Sequence, residues 1–218
     1  MTRRQRLGLS AVTAIALVGV VASCSGDAGP HGAYTFHSGT SAIKVDSPEL
    51  RALKASAHIE PCPKGTPPSS VVEGGLPALT LPCLGGGRSV DLAGLRGPLL
   101  VNFWAQNCGP CQQESPLLQK LARTAKGSVK VVGVDFIDPQ PARAIAFAKS
   151  RGLTYPQLAD PEEAAKGPLR IAGLPYTFFV DASGSITYTQ VGPIHSEDQL
   201  ATLVREHLGV SVSGLAGS

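Results

Sequence analysis

The sequence predicts an α/β domain built around a central mixed sheet, and three observations carry that reading. Two continuous apolar runs, "PLLVNFWA" (Pro98–Ala105) and "VKVVGVDF" (Val129–Phe136), have the make-up of strands buried on both faces. Each is followed by a stretch in which apolar residues recur at helical spacing. Late in the chain "YTFFVD" and "ITYTQVG" are joined only by "ASGS", a connection too short for anything but an antiparallel pair. Strands that alternate with helices and end in such a pair imply a layered domain with a parallel core.

The elements follow in order. From about Gly75, "LPALTLPCLGGGRSVDLAGLRG" reads as two short strands around a turn at "GGG". The strand at Pro98–Ala105 comes next. Beyond Cys108, Leu117, Leu118, Leu121, Ala122 and Ala125 fall on one helical face. After the strand Val129–Phe136, "PARAIAFAKSRG" is a helix with a glycine just past its end. "TYPQLAD" is a short strand, and "PEEAAKGPLRIA" begins helically with Pro161 in its first turn. The final helix is "SEDQLATLVREHL". Ser196 and Gln199 have capping-box spacing there, and Leu200, Leu203, Val204 and Leu208 form its stripe.

The 218 residues hold one domain with tails to spare. Net charge is +3, but Arg3, Arg4 and Arg6 lie in an acid-free leader, and the rest of the chain is balanced at 16 basic and 16 acidic residues. No cluster of Lys and Arg with interleaved aromatics appears, so no nucleic-acid partner is expected. Residues 1–23 join a positive start to an apolar run, the pattern of an export signal. The run ends in "VASC", which resembles the lipobox of bacterial lipoproteins, and the resemblance implies lipidation of Cys24. An uncleaved membrane anchor is the alternative. Either places the domain outside the cytoplasm, on the face of the cell membrane. Residues 24–74, rich in Gly, Ser, Thr and Pro, read as a tether with a short strand and a short helix near Ser47–Ala57 capped by Ser47. The domain is then 75–210, and 211–218 a tail.

Export changes how the cysteines are read. Setting Cys24 aside leaves Cys62, Cys83, Cys108 and Cys111, an even number where disulfides persist. Four cysteines allow three connectivities. Cys108 and Cys111 are close enough for a local bond, which makes Cys62–Cys83 the natural second pair. That pair is expected to be structural, tying the tether to the first hairpin and adding roughly 3 kcal/mol in the chain-entropy model. A relaying second redox pair is the alternative.

"FWAQNCGPC", after a buried strand and before a helix, resembles the active site of the thioredoxin superfamily. "LVNFWA", Glu114, the added helix and strand after "VVGVDF", and "GLPYTFFVD" resemble its TlpA/ResA-like branch, extracytoplasmic membrane-tethered thiol–disulfide oxidoreductases. The resemblance covers about Gly75 to Leu208. It implies a thioredoxin-like fold with helices on both faces of the sheet, an N-terminal hairpin extension and an inserted helix–strand–helix region. It also implies reduction of disulfides in exported proteins, with apocytochrome c as one client class, and electrons from a CcdA/DsbD-like membrane thiol donor. No cofactor is implied. The chemistry agrees. A cysteine at a helix start meets unpaired N–H groups and the positive end of the dipole, which favour thiolate. Cys108 is then the attacking nucleophile and Cys111 resolves the mixed disulfide. Gly109 and Pro110 keep the turn tight.

The resemblance further implies a cis peptide before Pro175, exposing the Leu174 backbone to a substrate strand. Glu114 matches the carboxylate that this branch keeps near its cysteines, a candidate for moving protons. Its bland alternative is an acid favoured by the helix dipole. Trp104 is expected to pack beside the site. Two positions depart from the pattern: Asn102 stands where cytosolic thioredoxins carry a buried Asp, and Asn107 where Trp is usual. Other functions stay open. An oxidase of the DsbE type would use the same couple in the opposite direction. A copper chaperone on the same fold would use Cys108, Cys111 and His195, although no metal site is expected because the spacing is wrong. A peroxide reductase would need a cysteine in a Pro-x-x-x-Thr-x-x-Cys segment.

Overall fold

The computed structural model describes residues 42–64 and 71–215; the expected signal and Cys24 lie outside the described residues. The first apolar run becomes β3 (Leu99–Trp104) and the second β4 (Lys130–Phe136). With β5 (Gln157–Asp160), β6 (Tyr176–Val180) and β7 (Ile186–Val191) they form one sheet in the order β5-β4-β3-β6-β7. β3, β4 and β5 run parallel, while β6 and β7 are antiparallel to their neighbours. The sheet is therefore mixed, as the sequence predicts.

Strand alternation divides the core in two. Leu99, Val101 and Phe103 of β3 share one face with Val132, Val134 and Phe136 of β4. Phe103 packs edge-on against Phe136 and Phe178 at centroid distances of 5.6 and 5.8 Å. That face is covered by the hairpin β1–β2 (Thr80–Leu81 and Val90–Asp91), which contributes Leu81 and Val90, and by Leu169 of α4 (Lys166–Leu169). The opposite face is covered by α2 (Gly109–Thr124), α3 (Pro141–Ser150) and α5 (Glu197–Leu208), through Leu118, Leu121, Ala144, Ile145, Leu200 and Val204. α5 carries its cap as expected: Gln199 N–H donates to Ser196 Oγ at 3.1 Å.

Three boundaries differ from the sequence reading. The helix expected from Pro161 starts only at Lys166. The Asp160 carboxylate takes the N–H groups of Ala164 and Ala165 at 2.8 and 2.9 Å, and Glu163 turns to φ 58°, so the chain makes a capped turn first. The stretch expected as tether also enters the fold well before residue 75. α1 (Pro48–Ser56), capped by Ser47, packs beside α3, and Leu50, Ala57 and Ile59 are buried in the helical-side core. Glu60 N–H donates to Thr154 O at 2.7 Å. No strand forms among residues 42–64. At the other end Leu215, expected in the tail, is fully buried.

Across the helical face runs a polar row set by register. Gln157 sits opposite Gly133, Gly133 opposite Asn102, and Asn102 opposite Thr177. The Gln157 side chain lies over Gly133, whose missing Cβ makes the room. A methyl there would come 2.0 Å from Gln157 Oε1 and 2.9 Å from Trp104 Nε1. Gln157 is fully buried and its Oε1 accepts from Trp104 Nε1 at 2.9 Å, so it has nowhere to retreat. Gly133→Ala is expected to destabilise the domain by about 2 kcal/mol, the range of overpacked cores. The measurement is urea unfolding, with a lowered midpoint and an unchanged slope; an unchanged midpoint would show that the row repacks freely.

Candidate active site

α2 begins where β3 has delivered the chain to the C-terminal edge of the sheet. Cys108 is its N-cap, in extended conformation, and the Cys111 N–H points at Cys108 Sγ, 3.2 Å away. A cap of this type satisfies one of the helix's unpaired N–H groups with sulfur, and it would serve a thiolate better than a thiol. Gly109 and Pro110 fill the first turn, where proline forfeits no hydrogen bond. Pro116 sits further in and leaves the Gln112 carbonyl without its helical donor; the Ser115 hydroxyl donates to it instead at 3.1 Å. The helix thus continues through a residue that usually breaks one.

Cys108 and Cys111 are joined by a disulfide. Cys108 is half-buried and flanked by exposed Asn107, Gly109 and Pro110, whereas Cys111 is buried at 2% exposure. An incoming group therefore meets Cys108. Trp104 is buried behind the site, its ring tilted against Phe147 at 5.3 Å. The Leu174–Pro175 peptide is cis. Leu174 and Cys108 both pack on the apolar cluster that holds Trp104, Cys111 and Ile194, and the register of Tyr176 opposite Phe103 brings the Pro175 loop to the end of β3 from which the chain leads into α2. Pro175 O accepts from Gly192 N–H at 3.0 Å, which fixes the loop to the end of β7.

One turn beyond Cys111, Glu114 is buried at 1% exposure. Its Oε1 accepts from Asn102 Nδ2 at 2.8 Å and its Oε2 from the Ile194 N–H at 3.0 Å. Asn102 Nδ2 also donates to Thr177 Oγ1 at 2.9 Å. Burial pushes the Glu114 carboxyl up to about 7, against the pull of those two donors. The position that departs from cytosolic thioredoxins thus serves as a neutral donor to the carboxyl one element away. Burial, with the Glu114 charge nearby, raises the Tyr155 phenol as well.

Several partners in this site carry no signal of their own in the sequence. Thr177 and Gln157 look like strand residues, and only the helical-side position of Asn102 and Trp104 in β3 announces that polar partners must exist. Asp135, opposite Trp104 in register, is 1% exposed, and burial with the neighbouring Asp138 raises its carboxyl well above the usual range. His195 is exposed, with its backbone N–H on Gln199 Oε1 at 2.8 Å. Among the described residues no three His, Cys, Asp or Glu side chains are gathered to hold a metal ion. Cys62 and Cys83 form the second disulfide, from the end of the α1 segment to the turn after β1. No helix among the described residues is long and apolar enough to cross a membrane.

The comparisons with known proteins agree with this geometry. The AhpC/TSA family model matches residues 72–189. The thiol:disulfide interchange protein DsbE of Pseudomonas fluorescens biotype C is 36% identical over 138 residues, 62% of this chain and 76% of that protein. The thiol-disulfide oxidoreductase ResA of Geobacillus thermodenitrificans is 29% identical over 56% of this chain and 68% of its own. Other relatives are spanned less fully: the chain covers 55% of the DsbE homologue of Paracoccus denitrificans. A thioredoxin-like protein of Porphyromonas gingivalis, solved in solution, superimposes with a TM-score of 0.52 at 30% identity, over 62% of this chain and 92% of that one.

The Glu114 carboxyl gives a test of the site's electrostatics. Its folded value of about 7 lies above the ordinary 4.5, so the folded state keeps a proton that the unfolded chain releases. Stability from this group is full below about pH 4.5 and falls as pH rises through 7, by about 3 kcal/mol. Glu114→Gln is expected to flatten that slope in urea unfolding followed from pH 4.5 to 8. A variant whose profile parallels the parent would contradict the burial of an ionisable proton here.

Proposed function

Because the chain belongs to the AhpC/TSA family, among the thiol–disulfide oxidoreductases of DsbE/ResA type, we propose that it reduces disulfides of exported proteins from the outer face of the cell membrane. The observation that carries this reading is the Cys108–Cys111 pair at the N-terminus of α2, one sulfur reachable and the other buried above Glu114. In the reduced enzyme the Cys108 thiolate attacks a client disulfide. A mixed disulfide forms and the first client sulfur leaves as thiolate. Cys111 then attacks Cys108 Sγ, the second client sulfur leaves, and the pair returns to the disulfide form. Two electrons pass to the client, and a membrane dithiol donor of the CcdA/DsbD kind restores them.

Glu114 is the proton carrier of this cycle. A carboxyl that titrates near neutrality, one helical turn from Cys111, takes the thiol proton as Cys111 becomes a nucleophile. The Leu174 backbone, just before Pro175 and packed on the same cluster as Cys108, is the edge along which an extended client segment pairs. Asn107 takes the place of an aromatic lid and leaves the rim of the site polar. Clients include apocytochrome c, whose cysteines must be reduced before haem attachment. The lipid on Cys24 holds the domain at the membrane beside its donor, and Cys62–Cys83 ties the segment leading from that anchor to the domain.

The single-cysteine variants test the cycle. Reduced Cys111→Ser protein, mixed with a disulfide-bearing substrate protein, is expected to accumulate a dithiothreitol-sensitive adduct through Cys108. Cys108→Ser forms none, and both variants lose at least about a hundredfold in disulfide-reduction rate. Equal trapping by Cys108→Ser, or no adduct with Cys111→Ser, would contradict the assignment of attacking and resolving sulfurs.

A further inference from the structure

The second disulfide has a neighbour that a structural staple does not need. Lys54 of α1 is buried at 9% exposure, and its ammonium points at Cys83 Sγ, 2.8 Å away. Its other partner is the Gly86 carbonyl, 2.9 Å away in the three-glycine turn. That turn is shaped around the lysine: Gly85 and Gly86 hold φ 71° and 88°, and a Cβ on Gly85 would meet Lys54 Cβ at 2.9 Å. A disulfide sulfur is a weak acceptor and carries no charge, so it offers a desolvated ammonium little. A thiolate at the same position would be a full counter-ion.

Cys62 is placed to complement it. Cys62 Sγ lies 3.2 Å from Gln157 O, a carbonyl ready to accept from a thiol. Both sulfurs of the reduced pair therefore have partners in place, a neutral thiol at Cys62 and a thiolate at Cys83. The two also differ in access. Cys83 is 2% exposed, whereas Cys62 is 8% exposed and forms part of the wall of an open cleft. Arg51, Lys54, Lys64 and Arg88 line that cleft against one acid, Asp46, which is paired with Arg51 at 2.6 Å. A surplus of cations draws anionic thiolates toward it. Burial lowers the Lys54 ammonium, with Asp46 pulling the other way.

We propose that Cys62–Cys83 is a second exchangeable disulfide, opened by a protein dithiol that attacks Cys62 from the cleft while Cys83 leaves as a thiolate on the Lys54 ammonium. The donor's first thiolate bonds to Cys62 Sγ, and the electron pair of the Cys62–Cys83 bond departs on Cys83. The donor's second sulfur, giving up its proton, then displaces Cys62, which takes that proton as a thiol facing Gln157 O. The donor ends as a disulfide and the pair has gained two electrons and one proton, its negative charge held by Lys54. A leaving sulfur with a stabilised thiolate leaves faster, so the lysine sets both the direction and the speed of opening. Opening also frees the α1 segment from the glycine turn. This site works without Cys108 and Cys111.

The test uses the full chain with Cys24→Ser, Cys108→Ser and Cys111→Ser, so that only this pair remains. Incubated with dithiothreitol in native buffer at neutral pH, quenched by alkylation and weighed, it is expected to open at a rate linear in dithiothreitol. With glutathione in place of dithiothreitol, the trapped adduct maps to Cys62. Lys54→Met in the same background slows opening about tenfold, because a charge-assisted hydrogen bond to the leaving sulfur is lost and is only partly formed in the transition state. Opening confined to urea concentrations that unfold the domain, an adduct on Cys83, or an unchanged rate in Lys54→Met would overturn the proposal. If Lys54→Met does not fold, the rate law and the adduct position in the lysine-containing protein decide by themselves.

Discussion

The buried carboxyl of Glu114 holds the active-site end of the domain together. Through Asn102 it ties α2 to β3, through the Ile194 N–H to the turn before α5, and through Asn102 and Thr177 to β6. Three elements that the chain visits at positions 102, 114 and 194 thus meet at one group. Burying an unpaired carboxylate would be prohibitive; two donors on its two oxygens, together with a proton near neutral pH, make it tolerable. The identity of residue 102 follows. An aspartate there would face Glu114 with a second negative charge and force one of the two to stay protonated, whereas asparagine supplies both N–H groups from one nitrogen to the carboxyl and to Thr177.

The rest of the site is arranged around that anchor. β3 is flanked on one side by parallel β4 and on the other by antiparallel β6, so the start of α2 and the loop before β6 emerge at the same edge. This is why Cys108 and Pro175, 67 positions apart in sequence, belong to one surface. Beneath them Gln157, Asn102 and Thr177 lie in one row with Gly133 between, Gln157 accepting from Trp104 and Asn102 donating to Thr177. The row supports the anchor from the sheet side, and its glycine leaves the space in which the Gln157 amide reaches the indole.

Much of this was legible in the sequence, for identifiable reasons. β3 and β4 announce themselves because a strand buried on both faces must be apolar throughout. α5 does so because its cap and its stripe of leucines agree. The cysteine pair was readable because its spacing, its strand and its helix occur together. Other features depend on contacts that no local pattern encodes. α4 starts late because the Asp160 side chain competes for the first N–H groups. α1 belongs to the domain although its stretch is short and lies among Gly-, Ser- and Pro-rich segments, because Leu50, Ala57 and Ile59 enter the core and α1 packs beside α3. Nothing in "SPELRALKASA" distinguishes Lys54, a buried ammonium over a sulfur, from Lys44 in solvent. Likewise Thr177 and Asp135 acquire their roles only from register.

The fold and the family set the kind of chemistry, and the proposal concerns its direction, with the Cys108–Cys111 pair as a reductant whose proton traffic passes through Glu114. The measurement that tests this most directly is the equilibrium reduction potential of that pair in the Cys24→Ser chain, followed by alkylation and mass across a thiol buffer. The account predicts a value near or below about −250 mV, close to thioredoxin. A value near about −120 mV, that of a protein that introduces disulfides, would contradict it.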